Sequence, residues 1–328
     1  MTTPRRGQRG CSEVDMNPVF SQPWWLDAVA PGKWEEINVA PASGLSGRLI
    51  YMSKRRNGVF KSLVAPPLSP RLGPLLSYPS EGKNSKVISD QVTILEELIA
   101  AIPSHDIFGQ NCVPEFNFWS PFKWAGYNQS TYYSYVLEDL TSEEALWKQL
   151  SQGHRRKITK AGEQYEIRDD LPPQVLVDLV TATFSRQGLD IFVDPQVLKR
   201  AAAVGVANES ARQLVAVDKS GKPMAGCLMV WDEDRAYYLT GGRADSQGPD
   251  PMAFVLWEAI RLASKTSKKF DFEGSMIKGI DRFFRGFGGR PEPYSYLGRL
   301  SLRAEAARVL GNGVLTSQAA VRTKGRNL

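Results

Sequence analysis

Histidine is nearly absent from this 328-residue chain, which has only His105 and His154. Cysteine is scarce too: Cys11, Cys112 and Cys227 are odd in number, far apart and without a CxxC spacing. These shortages exclude several chemistries. No Ser-His-Asp or Cys-His arrangement is supported, HExxH does not occur, and the cysteines suit neither a disulfide framework nor zinc. They read as reduced and structural, with no metal expected. His154, inside a basic segment, reads as a surface residue. Long apolar runs are also missing, none approaching the roughly 18–20 residues of a membrane-crossing helix. The first residues, MTTPRRGQRGCSEVD, carry arginines with no hydrophobic stretch behind them. They read as a disordered arm over 1–16, neither signal peptide nor anchor, and the expected location is the cytoplasm.

What is present suits a globular protein: 42% apolar residues and eight tryptophans. The length is about twice that of a common domain, so two domains are expected. A formal charge of +6 favours polyanionic partners such as RNA, a nucleotide-linked substrate or a lipid headgroup surface.

Two halves repeat one order of elements. In the first, WEEINVA, GRLIYMS and GVFKSLVA form a meander with a turn at Asn57-Gly58. A helix follows at SKVISDQVTILEELIAAI, then the strands DIFGQNC and TYYSYVLE. In the second, RQLVAVD, KPMAGCLMVW and RAYYLTGG lead to the helix PMAFVLWEAIRLASKT, opened by Pro251, and to KKFDFEGS. This is a mixed α/β (α+β) layout in which each half has a mainly antiparallel sheet flanked by helices. The expected division is 17–138, 139–304 and a C-terminal helix and tail over 305–328. Residues 63–80, rich in proline, read as a shaped loop, either a rigid surface connector or, near Arg71, a wall of a binding cleft.

Three segments are candidates for chemistry. A helix over 141–164 starts at a Thr141/Glu144 capping box and carries Arg155, Arg156, Lys157 and Lys160, either a solvated basic face or a phosphate-binding one. Residues 237–254 read as strand, glycine-rich loop and helix start, a geometry able to hold an anion with help from Arg243, although plain turn chemistry also accounts for the glycines. In FDFEGSMIKGIDRFFRGFGG, 270–289, a strand alternating Phe270 and Phe272 with Asp271 and Glu273 leads into an aromatic segment bearing Lys278, Arg282 and Arg285. With nucleophilic and metal chemistry unsupported, what remains is amine attack on an activated acyl carbon, helped by positioning and anion stabilisation.

FSQPWWLDAV, HRRKITKAGEQ, FSRQGL and FDFEGSMIKGIDRFFRGFGG together resemble the FemAB-type branch of the GNAT acyltransferases, from Phe20 to about Leu300. The resemblance implies two tandem GNAT-like domains with a cleft at their junction. It also implies transfer of an aminoacyl or acyl group, from aminoacyl-tRNA or acyl-CoA, to an amine of a peptidoglycan or envelope glycan precursor, with peripheral contact with the inner membrane. Carried over by motif, Arg282 or Arg285 would stabilise the tetrahedral intermediate or bind the acyl donor's phosphate or terminal ribose. Asp281 stands where the family commonly has tyrosine, and lies in the same motif as a third candidate catalytic residue. Arg186 would pair with the acceptor's diphosphate, and Lys157 and Lys160 would contact a polyanion. An acetyl-CoA-dependent N-acetyltransferase acting on a nucleotide-linked amino sugar and a non-catalytic anion-binding relative are the alternatives, since all would keep this fold.

Overall fold

The computed structural model describes residues 13–191, 193–244, 248–274, 276 and 278–310. The arm expected over 1–16 lies outside this range up to residue 12, as do Cys11 and the tail beyond residue 310. In chain order the first half contains β1 (Glu13–Asp15), α1 (Pro23–Val29), β2 (Trp34–Ala42), β3 (Leu45–Arg56), β4 (Phe60–Val64) and β5 (Leu75–Pro79). It continues with α2 (Asn84–Ala101), β6 (Ile107–Asn111), α3 (Ser120–Trp124) and β7 (Asn128–Leu137). The second half contains α4 (Glu143–Gln149), α5 (Gln152–Gly162), β8 (Tyr165–Arg168), α6 (Pro173–Arg186), α7 (Pro195–Ala207), β9 (Ala211–Asp218) and β10 (Pro223–Trp231). It ends with β11 (Arg235–Arg243), α8 (Pro251–Ala263), β12 (Lys269–Asp271), α9 (Lys278–Arg285), β13 (Arg290–Leu300) and α10 (Leu302–Leu310).

The duplicated plan is present. β2-β3-β4 and β9-β10-β11 are antiparallel triplets. After each triplet a helix, α2 or α8, returns the chain to a strand parallel to the last: β6 beside β4, and β12 beside β11. The two halves nevertheless share one sheet, ordered β1-β5-β3-β4-β6-β13-β7-β12-β11-β10-β9-β8, with β2 on β3. Their closing strands are exchanged. β13 lies against β6 of the first half, β7 lies against β12 of the second, and the two pair with each other along 128–136 and 290–298. One core packs α1, α2, α6 and α7 on one face, and another packs α4, α5, α8 and α9 on the opposite face.

Local chemistry explains most boundaries. Asn57 and Gly58 both have positive φ, 50° and 71°, as a tight hairpin turn requires. Asp250 caps α8 and Pro251 occupies its first turn. The helix expected over 141–164 is two helices. Buried Leu150 leaves the helical path, and Ser151 restarts it by accepting a hydrogen bond from the His154 N–H. The cap of α4 is Ser142, because the Thr141 hydroxyl donates to Asp139 instead. Within the proline-rich segment Leu75–Pro79 forms β5, which pairs with β1 and β3. The preceding loop is pinned by Leu72 and Gly73 N–H groups donating to the Asn111 carbonyl and by Trp25 Nε1 donating to Ser69 Oγ.

Candidate functional site

The strand exchange brings charged side chains from distant parts of the chain to one point in the sheet. Asp271, on β12, is fully buried because β7 and β11 flank its strand and both faces are covered. The proline-rich loop delivers Arg71, 2% exposed, which holds Asp271 through both terminal nitrogens and lies 4.7 Å over the Tyr294 ring. Arg235, 3% exposed at the start of β11, donates to the same carboxylate at 2.9 Å and to Glu292 of β13 at 2.5 and 3.2 Å. Ser134 Oγ of β7 also donates to Asp271. Burial alone would push the Asp271 carboxyl up, but Arg71 and Arg235 outweigh it and hold the group below its ordinary value. The alternation in FDFEG signalled that Asp271 and Glu273 share a side. It did not signal that this side is buried, and Arg235, Ser134, Tyr135 and Glu292 gave no sequence signal at all.

Beside this network the sheet splits. β11 and β12 are in register for three residues, Arg235, Ala236 and Tyr237 against Lys269, Phe270 and Asp271. β12 then ends and the chain turns away through Glu273 and Gly274, both with positive φ, while β11 runs on to Arg243 along β10. One extra residue on β11, Leu239, makes a bulge opposite Leu228 and Met229 of β10. Among the described residues, β11 from Tyr238 to Gly242 has no strand on its β12 side, so a wedge opens there; at its far end Arg243 is engaged by α6, its N–H donating to Thr183 Oγ1 at 2.8 Å and its carbonyl accepting from Arg186 at 3.1 Å. The register of β7 and β13 places Tyr132, Ser134, Glu292, Tyr294 and Tyr296 on the face that carries Asp271. Tyr132 stacks on Tyr294 at 5.9 Å and meets Tyr296 edge-on at 6.1 Å.

The glycines of YYLTGGR belong to β11, not to an anion-binding loop. A Cβ on Gly242 would lie 2.3 Å from the Leu179 carbonyl of α6, and one on Gly241 would lie 2.6 Å from the Tyr238 hydroxyl. Residues 245–247 of the loop fall outside the described residues. The start of α8 is already served: Asp250 Oδ1 accepts from Met252 N–H at 3.2 Å, its Oδ2 holds Lys157 at 3.0 Å, and Pro251 has no N–H.

The remaining residues singled out by sequence fall into separate groups. Arg186 donates to the Arg243 carbonyl at 3.1 Å, joining the end of α6 to the end of β11. Lys160, Lys278 and Arg282 are exposed. Arg285, 63% exposed, lies 3.8 Å from Asp281, whose carboxylate accepts from Tyr135 of β7 at 2.7 Å. α6 and α9 cover opposite faces of the sheet, and no hydrogen bond or ion pair among the described residues joins Arg186 to Arg282 or Arg285. His154 is not at the surface. It is 8% exposed, packed between Phe283 and Phe287 with Nδ1 2.9 Å from Ser151 Oγ, because α9 and the turn after it dock onto the start of α5. Burial, then Lys157, lowers its imidazole below the usual value. Cys112 and Cys227 are free and buried, and burial raises both thiols, Cys227 to about 12. Among the described residues there is no acidic, histidine or cysteine cluster fit for a metal, and no helix is long and apolar enough to cross a membrane.

Residues 148–285 match the family model of an acetyltransferase (GNAT) domain. The fold is similar to that of FemX, with a TM-score of 0.65 and 10% identity, covering 90% of this chain and 95% of that one. It is also similar to the C-terminal domain of a putative lysylphosphatidylglycerol synthetase from Agrobacterium fabrum, at 0.55 and 14%, covering 92% and 94%. A third similar structure is L-PGS from Bacillus licheniformis, at 0.52 and 11%, covering 90% and 98%. No curated protein matches the sequence.

Proposed function

We propose that this chain, which carries a GNAT domain within the fold of FemX, is an N-acyltransferase that moves an acyl or aminoacyl group from an activated carrier to an amine of a cell-envelope glycan or peptidoglycan precursor. The observation that carries this reading is the wedge between β11 and β12, inside the matched domain. Its β11 edge before Arg243 offers backbone N–H to the donor's carbonyl, in a position where a preorganised dipole stabilises the oxyanion of the tetrahedral intermediate. The amine attacks the acyl carbon, the C–N bond forms, and the bond to the carrier oxygen or sulfur breaks. Arg285 or Arg282 supplies further positive charge, with Asp281 and Tyr135 fixing Arg285. Arg71, sealed against Asp271, positions the junction without meeting solvent.

The donor that fits best is aminoacyl-tRNA. Among the described residues the start of α8 offers a diphosphate little, since its cap is the Asp250 carboxylate and Pro251 at the first helical position has no N–H. The exposed cations of α5 (Arg156, Lys157, Lys160) and of α9 (Lys278, Arg282, Arg285) belong to helices on one face and suit an extended polyanion. Arg186 and Arg243 remain as contacts for an anionic acceptor on the other side. The match to an acetyltransferase domain favours acyl-CoA as the second reading. A mass-spectrometric screen offering charged tRNA and acyl-CoA separately tests the choice. The expected result is transfer from charged tRNA that weakens steeply with salt and is lost in Arg285→Ala, with the variant's melting temperature unchanged. Transfer from acyl-CoA alone refutes the donor, and full activity in Arg285→Ala refutes the role of that residue.

A further inference from the structure

Nine large apolar side chains are exposed among the described residues, and four of them gather at one end of the sheet. β3 and β4 turn there through Val59. β6 starts there, since Ser62 of β4 is in register with Ile107, and β13 ends there, with Leu300 opposite Ile107. β7 starts there too, with Asn128 opposite Gly298, and α3 just before it ends on Trp124, 66% exposed. α10 leaves from this end and supplies Leu302, 91% exposed, and Val309. Its period sets the stripe. Ala304 is buried with Ile107, Phe60, Leu300 and Ala307 pack against them, and Arg303 lies 5.8 Å over the Phe60 ring while its guanidinium holds Asp106. Leu302, Ala306 and Val309, at i, i+4 and i+7, form the opposite, outward side, which a helix packed on a sheet ordinarily keeps polar.

Charge accompanies these apolar groups. Residues 54–61 contribute four lysines or arginines, 120–128 one and 298–309 three, whereas the carboxylates on these segments and on 105–108 are Asp106 and Glu305. Both are already held, by Arg303 and Arg308. Among the described residues Lys54, Arg55, Lys61 and Lys123 make no ion pair. We propose that this end of the sheet docks on the surface of an anionic phospholipid bilayer, with Val59, Trp124, Leu302 and Val309 entering the headgroup region and those four cations meeting lipid phosphates. Tryptophan suits that boundary, because its ring is apolar and its N–H polar. A nucleic acid would satisfy the cations but leave the apolar stripe in water, and a second copy of the chain would bring like charges together. β11 and β12 run toward this end, so the wedge opens on the side that faces the lipid. The docking surface itself does not depend on the acyl-transfer reading.

Co-sedimentation of the full-length chain with vesicles of phosphatidylcholine, with and without phosphatidylglycerol, is the test. The chain is expected to bind the mixed vesicles, to leave them as salt is raised, and to ignore pure phosphatidylcholine. Each cation near the lipid is worth roughly fivefold, so Lys54→Gln with Arg55→Gln should weaken binding about twentyfold. Leu302→Ser with Val309→Ser should weaken it about tenfold or more. All four side chains are exposed, so melting temperatures should not move. A chain that binds neither vesicle, or both alike, overturns the proposal. So does mixed-vesicle binding that both double variants leave within about twofold of wild type, which would place the lipid on another surface. A dimer that Leu302→Ser with Val309→Ser dissolves, in a chain that ignores vesicles, assigns the stripe to a second copy and overturns it as well. Binding of total tRNA that Lys54→Gln with Arg55→Gln removes, while vesicle binding stays at the wild-type level, does the same in favour of a nucleic acid.

Discussion

Arg71→Met removes a buried cation while keeping most of the aliphatic stem. Asp271 then loses its bidentate partner but keeps Arg235 at 2.9 Å, the Ser134 hydroxyl and the Glu273 N–H. Breaking a buried ion pair by deleting one partner costs about 3–5 kcal/mol, because the other charge stays desolvated. The retained partners place this case near the lower end, and the lost contact with the Tyr294 ring adds about 0.5–1 kcal/mol, for a total of about 4 kcal/mol. At about 2 °C per kcal/mol for a chain of this size, the melting temperature should fall by about 8 °C. The pH dependence carries a second signature. The Asp271 carboxyl is held low in the folded state, so its contribution is complete above about pH 4 and is lost as the pH falls through the lowered folded value. Without Arg71 the folded carboxyl titrates at higher pH, so the stability lost on acidifying below about pH 4 is smaller. Thermal melts from pH 3 to 7 measure both effects. A variant melting within about 2 °C of wild type, with the same acid limb, would show that desolvation cancels the pair and that the junction does not depend on it.

Two further perturbations probe how α9 is docked. A Cβ on Gly286 would lie 2.1 Å from His154 Cε1, so Gly286→Ala should cost about 1–3 kcal/mol and reduce transfer as the helix shifts; wild-type melting and activity would show that the turn is loose. Because the His154 imidazole is lowered, the folded state favours its neutral form, so that stability is present above about pH 6.5 and is lost as the pH drops through the folded value. The wild-type melting temperature should therefore fall more between pH 7 and 5 than that of His154→Phe, and equal slopes would exclude His154 as the cause.

Local signals were legible because they depend on neighbours in the chain. The Asn57-Gly58 hairpin, the period of α2, Pro251 at the start of α8 and the repeated order of three strands, helix and strand all follow from residues a few positions apart. The aromatic face of RFFRGFGG was legible as well. Its target was not, because Phe283 and Phe287 close on His154, about 130 positions earlier, which had every local mark of a surface histidine.

The sequence by itself determined the duplicated plan, the mixed α/β class and most element types, though not β5 or the break between α4 and α5, since periodicity and turn chemistry act over a handful of residues. Only the tertiary structure decided that the closing strands are exchanged, that Arg71 is buried and not presented in a cleft, and that Arg186 and the α9 arginines lie on opposite faces. Those outcomes depend on strand register between segments far apart in the chain, as in the pairing of Arg71 with Asp271 across 200 positions. A buried carboxylate must be met by a cation wherever in the chain one is found, and periodicity carries no record of which one arrives.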